Sequence, residues 1–148
     1  MLNIDDVLSQ WKKDSVIDEM NLDDTSRESA KLHSKYLEMY SVSKLQLKRK
    51  EAELQRLLKD KWLWYNGKMS KDEMDERGWD YDPLNGLKVL KGEMDHFYNS
   101  DKDISNLNQQ IEYLKILVET LGEIMENIKW RHQNIKNIIE WSKFTSGM

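Results

Sequence analysis

A seven-residue apolar repeat in the last third of the chain is the feature that most restricts its fold. Alternating steps of three and four residues from Ile104 to Ser142 meet twelve positions, and ten of them are apolar. A straight helix drifts by about 20° per heptad, so a helix that keeps this repeat supercoils against partner helices. The repeat predicts a helix over about residues 101–144. Its apolar face is wider than a two-stranded seam because of Leu117, Ile124 and Ile138.

A second long helix is predicted over about residues 24–66, and the two together indicate an all-α fold. This segment contains neither glycine nor proline, and Asn66-Gly67 is a typical helix end. Apolar residues at helical spacing before residue 12 predict a further short helix. We therefore expect one helical domain (1–148) with four parts: a short N-terminal helix and connector (1–22), a long helix (23–66), an acidic insert (67–100) and the heptad helix (101–148).

The acidic insert is rich in turn signals. Ser70, with Glu73 three residues later, is a capping-box pattern that predicts a short helix ending at Gly78. The turn sequence around Pro83 is flanked by alternating apolar residues. Residues 78–91 therefore form either a small β-hairpin or an extended loop, and the sequence leaves both alternatives open.

The apolar surface of the heptad helix exceeds what one monomer can cover. Two long helices in one monomer cannot cover all of their apolar surface between themselves, so we expect a homo-oligomer. The oligomer interface is predicted to contain the main heptad positions, which are Ile111, Leu114, Val118, Leu121, Met125, Ile128, Ile135 and Ile139.

Charge and composition exclude several classes of protein. The 148 residues carry a formal net charge of −4 and no cysteine, which argues against a disulfide framework and fits a reducing compartment. No apolar run approaches eighteen residues and the N-terminus is acidic, so we expect neither a membrane partner nor secretion. The expected location is the cytoplasm, or the host cell cytoplasm if the protein is viral.

No pattern of catalytic or metal-binding residues stands out. The three histidines, His33, His96 and His132, lie on separate segments, and no pair has metal-ligand spacing. No glycine-rich loop could hold phosphates. Asp80 and Asp82 resemble half of a calcium loop, but the central glycine and the closing glutamate are missing. We expect no enzyme activity, no metal and no cofactor.

The predicted end of the second helix combines positive charge with aromatic rings. Residues 44–61 hold seven basic residues against three acidic ones, and three cations and three aromatics fall within residues 59–68. Proteins bind single-stranded nucleic acid with cations along the phosphates and aromatic rings against the bases. Alternatively, the aromatic side chains at this helix end pack into the helix bundle, and the lysines compensate the negative end of the helix dipole. The predicted DNA-binding residues are Lys59, Lys61, Trp64, Tyr65 and Lys68, with Lys48, Arg49 and Lys50.

Several segments together resemble the UvsY recombination mediator family of tailed bacteriophages. The match covers nearly the whole chain, although the region around residues 78–93 fits poorly. Where the family has lysine, a small residue and arginine, this chain has Lys59-Asp60-Lys61. The segments that carry the resemblance are Trp11-Lys-Lys-Asp14, Leu32-His-Ser-Lys-Tyr-Leu37, Leu58-Lys-Asp-Lys61, Tyr65-Asn-Gly-Lys68, Ser100-Asp-Lys-Asp103 and Ile128-Lys-Trp-Arg131.

The resemblance implies a ring-shaped homo-oligomer, expected to be a heptamer built as an open helical barrel. It also implies that this oligomer binds single-stranded DNA without sequence preference. It also implies contacts with the phage recombinase and the phage single-strand-binding protein. Such a mediator helps the recombinase displace the binding protein and nucleate a filament on DNA. The alternative, from another class, is a structural coiled-coil adaptor or scaffold protein with no role on DNA.

Overall fold

The described residues, 2–147 in a computed structural model, fold entirely as helices and turns. The all-α prediction is confirmed, and the two long helices lie within two residues of their predicted bounds. No strand occurs in residues 2–147, so residues 78–91 take the loop alternative rather than the hairpin. The helices are α1 (Ile4–Asp14), α2 (Leu22–Tyr65), α3 (Lys71–Arg77), α4 (Met94–Ser100) and α5 (Lys102–Thr145).

Short polar side chains set the helix starts. The Asn3 side chain accepts a hydrogen bond from the Asp5 N–H at 2.8 Å and so caps α1. Ser70 caps α3 by accepting from the Glu73 N–H at 3.2 Å, as its capping-box pattern predicts. Asp101 does the same for α5, where its Oδ1 accepts from the Ile104 N–H at 3.0 Å.

Glycines end two of the helices through the left-handed conformation. Gly78 has φ 68° and follows the last residue of α3. Gly67 has φ 69°, and the Lys68 N–H donates to the Leu63 carbonyl at 2.8 Å, which closes the last turn of α2. The chain can therefore reverse sharply at both points.

The first of two compact units comprises Met1–Gln46 and Leu114–Met148. The Asp14 carboxylate, at the end of α1, accepts hydrogen bonds from Lys35 Nζ at 2.7 Å and from the Tyr36 hydroxyl at 2.8 Å. The buried Arg131 donates to the Ser15 and Val16 carbonyls, both at 3.0 Å. A positively charged guanidinium at the C-terminal end of α1 also interacts favourably with the helix dipole. These polar contacts attach α1 to α2 and to α5.

The second unit comprises Leu47–Tyr113. It holds the end of α2, the short helices α3 and α4, and the start of α5. The Tyr98 hydroxyl of α4 donates to the Leu58 carbonyl of α2 at 3.3 Å. Its buried apolar residues come from α5 and from the segment around α3, and they are Met69, Met74, Ile104, Leu107 and Ile111. The single-domain prediction stays a prediction.

The buried side of α5 changes register after Leu114. The next buried residue is Leu117, three positions on, and from there Ile124 and Arg131 occupy the inner positions. The predicted seam positions Val118 and Met125 are half-buried instead, and His132 is exposed. After Leu114 the steps run three then four instead of four then three, so one seam position in each heptad moves by one residue. The other seam positions, Leu121, Ile128 and Ile135, stay buried as predicted.

Burial within the single chain divides the eight predicted oligomer-interface residues into two groups. Five of the eight residues are at most 6% exposed within the single chain, so they belong to the core of the fold. They are Ile111, Leu114, Leu121, Ile128 and Ile135. The other three, Val118, Met125 and Ile139, are half-buried. Contact of these eight residues with a second copy stays a prediction.

Candidate nucleic-acid interface

Four cations of α2 share one solvent-exposed side of the helix. Arg56 lies seven residues after Arg49, and Lys59 lies three residues after Arg56, so the three project from the same side. Lys48 lies at the edge of this side. No acidic residue lies between the four cations on the helix surface. Two acids at the border, Glu53 and Asp60, pair with cations outside the stripe. We call Lys48, Arg49, Arg56 and Lys59 the basic stripe.

The cations of the basic stripe are almost free of internal partners. Lys48 makes an exposed ion pair with Glu51 at 3.7 Å, which contributes little in water. Arg49, Arg56 and Lys59 have no ion pair or hydrogen-bonding partner within the described part of the chain. Their charges therefore face solvent and are available to phosphates.

Lys61 occupies a different environment from Lys59, two residues earlier. It is only 2% exposed, and its Nζ lies 2.7 Å from Asp103 Oδ2 and 3.1 Å from Asp101 Oδ2. The same ammonium lies 4.4 Å from the Trp64 ring centroid and 4.0 Å from that of Trp79. Two carboxylates and two aromatic rings thus replace its water shell.

Aromatic residues complete this Lys61 cluster, which we define as Lys61, Trp64, Tyr65, Trp79, Asp101 and Asp103. The Tyr65 hydroxyl donates to Asp101 Oδ2 at 2.6 Å. Burial, and secondarily this hydrogen bond, raise the pKa of Tyr65 above its ordinary range. The Trp64 Nε1 donates to the Asp80 carbonyl at 2.7 Å, and its ring packs against Trp79 with centroids 5.1 Å apart. The cluster joins the end of α2 to the start of α5.

The cluster corrects the expected position of Lys61. We predicted that Lys61 contacts DNA, but its ammonium is enclosed by protein groups, and a phosphate could reach it only by displacing Asp101 or Asp103. Trp64 and Tyr65 are half-buried in the same contacts. For these three residues the arrangement matches the alternative interpretation, in which the aromatic side chains at the end of α2 pack into the helix bundle.

The remaining predicted DNA-binding residues differ in exposure. Lys68 is exposed, and its Nζ lies 4.6 Å from the centroid of the partly exposed Trp62 ring. Lys50 is half-buried, and it pairs at 3.3 Å with Glu53, an acid at the border of the stripe.

Asp60, the other acid at the border of the stripe, pairs with Arg77 at 2.6 Å. Its charge is therefore compensated locally and does not oppose that of Lys59, its neighbour in the chain. Lys59 and Lys68 are thus the available cations at this end of α2.

Arg56 is the residue of the stripe that we did not predict to bind DNA. It lies within the basic segment 44–61, and its spacing from Arg49 and Lys59 places it on the same side of a helix. Helical spacing in the sequence therefore identifies Arg56 as a member of the stripe. The acidic partners of Lys61 lie about forty residues further along the chain, and no local pattern identifies them.

Known proteins are similar to this chain in sequence and in the arrangement of their helices. Residues 10–148 match the family model described as "Recombination, repair and ssDNA binding protein UvsY". The chain belongs to the UvsY family. This membership confirms the resemblance that the sequence shows, and it gives the chain a role in recombination and repair and in binding single-stranded DNA.

Individual relatives agree over nearly the full length. The chain is 27% identical over 146 residues to the recombination protein uvsY of Enterobacteria phage T4, with 99% of each chain covered. A crystal structure of the bacteriophage T4 recombination mediator protein UvsY, in lattice type II, superposes with a TM-score of 0.83 at 25% identity and 99% coverage of each chain. Its lattice type I structure gives 0.81 at 26% identity, covering 95% of this chain and 98% of the other.

Two further structural properties of this UvsY-family chain concern ligands and membranes. No group of three or more histidine, cysteine, aspartate or glutamate side chains in residues 2–147 could hold a metal ion. None of the helices described here is long and apolar enough to cross a membrane.

The ionisation of Asp101 predicts a pH dependence of stability in this UvsY-family chain. Burial alone would raise the pKa of Asp101, but hydrogen bonds from Tyr65, the Ile104 N–H and Lys61 outweigh it and hold the pKa below its ordinary value of 3.8. A carboxyl group with a depressed folded-state pKa stabilises the fold fully above the unfolded-state value and less as the pH falls. We expect wild type to lose more free energy of unfolding below pH 3.8 than Asp101→Asn does.

Urea unfolding of both proteins, at neutral pH and at a pH below 3.8, checks this expectation. Asparagine keeps an oxygen for the α5 cap but has no charge to lose, so it is the matched control for titration. A stability difference between the two proteins that does not change with pH would contradict the assignment.

Proposed function

We propose that this chain is a recombination mediator that binds single-stranded DNA through the basic stripe and helps to load a phage recombinase. In this proposal it displaces the phage single-strand-binding protein during homologous recombination and repair, in the cytoplasm of the host cell. The observation that carries the proposal is the exposed stripe of Lys48, Arg49, Arg56 and Lys59 on α2. Membership of the UvsY family supports it.

The stripe suits phosphate binding rather than the reading of bases. Lysine and arginine side chains that neutralise phosphates give sequence-independent affinity, which falls with salt because counterions are released. The chain as a whole is acidic, with a net charge of −4, but a strand that follows α2 meets a local concentration of positive charge. In this proposal Lys68, with Lys50 as a weaker contributor, extends the phosphate contacts. The function requires no chemical step.

We also propose that the chain acts as a ring-shaped homo-oligomer, a heptamer built as an open helical barrel. The exposed aromatics of α5 support self-association, because Trp130, Trp141 and Phe144 are each more than half exposed. A ring would repeat the basic stripe once per copy. Linked copies raise the effective concentration of each site, so contacts that are weak in one chain become avid in the assembly.

Titration with a fluorescent single-stranded oligonucleotide at two salt concentrations tests the DNA-binding part. We expect Arg56→Ala with Lys59→Ala to weaken binding and to flatten the plot of log affinity against log salt by about 0.7 for each phosphate that is no longer neutralised. Helical content and oligomer mass should not change, because both side chains are exposed. Fluorescence anisotropy, circular dichroism and light scattering measure these three properties.

The matched control is Lys91→Ala with Lys102→Ala, which removes the same charge from two exposed lysines outside the stripe. It should leave the salt slope near that of wild type. A control pair that weakens binding as much as the stripe pair would show a response to net charge alone. No binding by wild type at low salt would favour the structural adaptor instead.

A further inference from the structure

A cavity of about 330 Å³ opens in the second unit, beside the end of α2. One wall is formed by Trp64 to Gly67, and the other by the loop at residues 81–89. Three aromatic residues contribute to the lining, together with apolar residues of the loop and Lys88. The volume lies at the lower end of the range for small-molecule sites, which suits one planar ring system better than a peptide helix.

Tyr81 gives this cavity an exposed aromatic ring with a fixed position. The ring is 56% exposed, although the hydroxyl donates a hydrogen bond to the Asp75 carboxylate of α3. Lys71 Nζ lies 5.9 Å from the ring centroid. An aromatic side chain that is already anchored loses little conformational freedom when a ligand stacks on it.

The loop at residues 81–89, which includes Tyr81, is also preformed. Asp82 Oδ1 accepts a hydrogen bond from the Gly86 N–H at 3.0 Å, and the Leu87 N–H donates to the Leu84 carbonyl at 3.1 Å. Asn85 and Gly86 take positive φ angles of 52° and 84°, which close the turn. As a result Leu87 is held at the cavity with 76% of its surface exposed.

Three lysines at or near the cavity supply the positive charge that the phosphates of a nucleic-acid occupant require. Lys88 lines it, Lys71 lies beside Tyr81, and the exposed Lys68 follows the wall formed by the end of α2. The nearby acids Asp75 and Asp82 each accept an internal hydrogen bond, and the exposed Asp80 precedes Tyr81 in the chain. Stacked aromatic rings with flanking cations are the means by which proteins hold unpaired bases and their phosphates.

We propose that this cavity receives one unpaired base of a bound single strand, stacked on Tyr81 with Leu87 at its edge and Lys88 near its phosphate. The inference rests on the proposed function and adds base stacking to it, because the basic stripe alone would hold only the backbone. The interaction is made through the face of the base, so it requires single-stranded nucleic acid but no particular sequence.

The test compares two oligonucleotides of equal length and charge, oligo(dT) and a strand in which abasic residues replace all of the nucleotides. Wild type should bind oligo(dT) about tenfold more tightly than the abasic strand, a ratio within the range measured for stacking of one base. Tyr81→Ala should lose that preference and bind both strands with the affinity that wild type has for the abasic one. Fluorescence anisotropy gives the affinities, and circular dichroism checks that the variant is folded.

Two leucines of the same segment provide a matched pair that leaves Tyr81 intact. Leu87 lines the cavity, whereas Leu90 is 62% exposed and does not line it. Leu87→Ala should reduce the preference for oligo(dT) severalfold, and Leu90→Ala should keep it. A 5-iodouracil oligonucleotide should also form photo-crosslinks to Tyr81 or Trp64, identified by mass spectrometry.

The outcomes separate this inference from the function on which it rests. If wild type binds both strands equally, or if Tyr81→Ala keeps the preference, the cavity does not take a base, while the phosphate-binding function stands. If Tyr81→Ala lowers the oligomer mass in light scattering and keeps the preference, the cavity is a protein contact. If wild type binds neither strand, the proposed function fails and this inference fails with it.

Discussion

Replacing Lys61 with methionine should lower the free energy of unfolding by about 3–5 kcal/mol, because removal of one partner leaves a buried charge uncompensated. Methionine keeps a long apolar stem beside Trp64 and Trp79 but removes the ammonium. The carboxylate of Asp101 is 3% exposed, so it would remain in the interior with only the Tyr65 hydroxyl and one backbone N–H as donors. Chemical denaturation followed by circular dichroism measures the loss.

Lys59→Met is the matched control for this prediction. The two lysines lie on the same helix, two residues apart, and the substitutions are identical, but Lys59 is exposed and has no internal partner within the described residues. Its substitution should change the free energy of unfolding by less than about 0.5 kcal/mol. It should weaken DNA binding instead, so the pair separates the stabilising lysine from the DNA-binding one.

A double substitution tests whether the buried charge is the cause. Lys61→Met with Asp101→Asn removes both members of the 3.1 Å ion pair, and asparagine keeps an oxygen that can cap α5. The double variant should be more stable than Lys61→Met alone, because no full charge remains buried. Two results would contradict this explanation. Either Lys61→Met is as stable as wild type, or the double variant is less stable than Lys61→Met. In both cases the buried charge of Asp101 is not the cause of the loss.

The sequence predicts the helices of this fold better than it predicts their contacts. Uninterrupted tracts, Asn66-Gly67 and the Ser70 capping box are local signals, and the structure reproduces the elements that they predict. Such local signals do not predict every buried position of α5. Val118 and Leu117 are both apolar, and only packing against the rest of the fold selects Leu117 as the buried one.

The same limit applies to the candidate site. Helical spacing places Arg49, Arg56 and Lys59 on one side of α2, and this can be worked out from the sequence alone. Composition cannot distinguish Lys59 from Lys61, because both precede the same aromatic residues. The distinction depends on Asp101 and Asp103, which reach Lys61 only after the chain has folded back at the start of α5.

Replacing Leu121 with aspartate should unfold the first unit and abolish any assembly that depends on it. Leu121 is fully buried, so the substitution removes a leucine from the core, a change worth about 2–5 kcal/mol when the replacement is alanine. A carboxylate without a partner adds a desolvation cost of several kcal/mol more. The sum is comparable to the whole stability of a typical domain, which is about 5–15 kcal/mol.

The control for Leu121→Asp is Ile116→Asp, on the same helix and in the same unit, where the side chain is 53% exposed. An aspartate at position 116 can keep its water shell, so helical content and melting temperature should stay close to those of wild type. Circular dichroism measures both properties, and light scattering shows whether assembly is lost with folding or separately from it. If Leu121→Asp keeps its helical content and melting temperature, Leu121 is not part of the core of the unit. Val118 and Met125, the half-buried positions of the same predicted heptad, would then be the candidates for the buried seam.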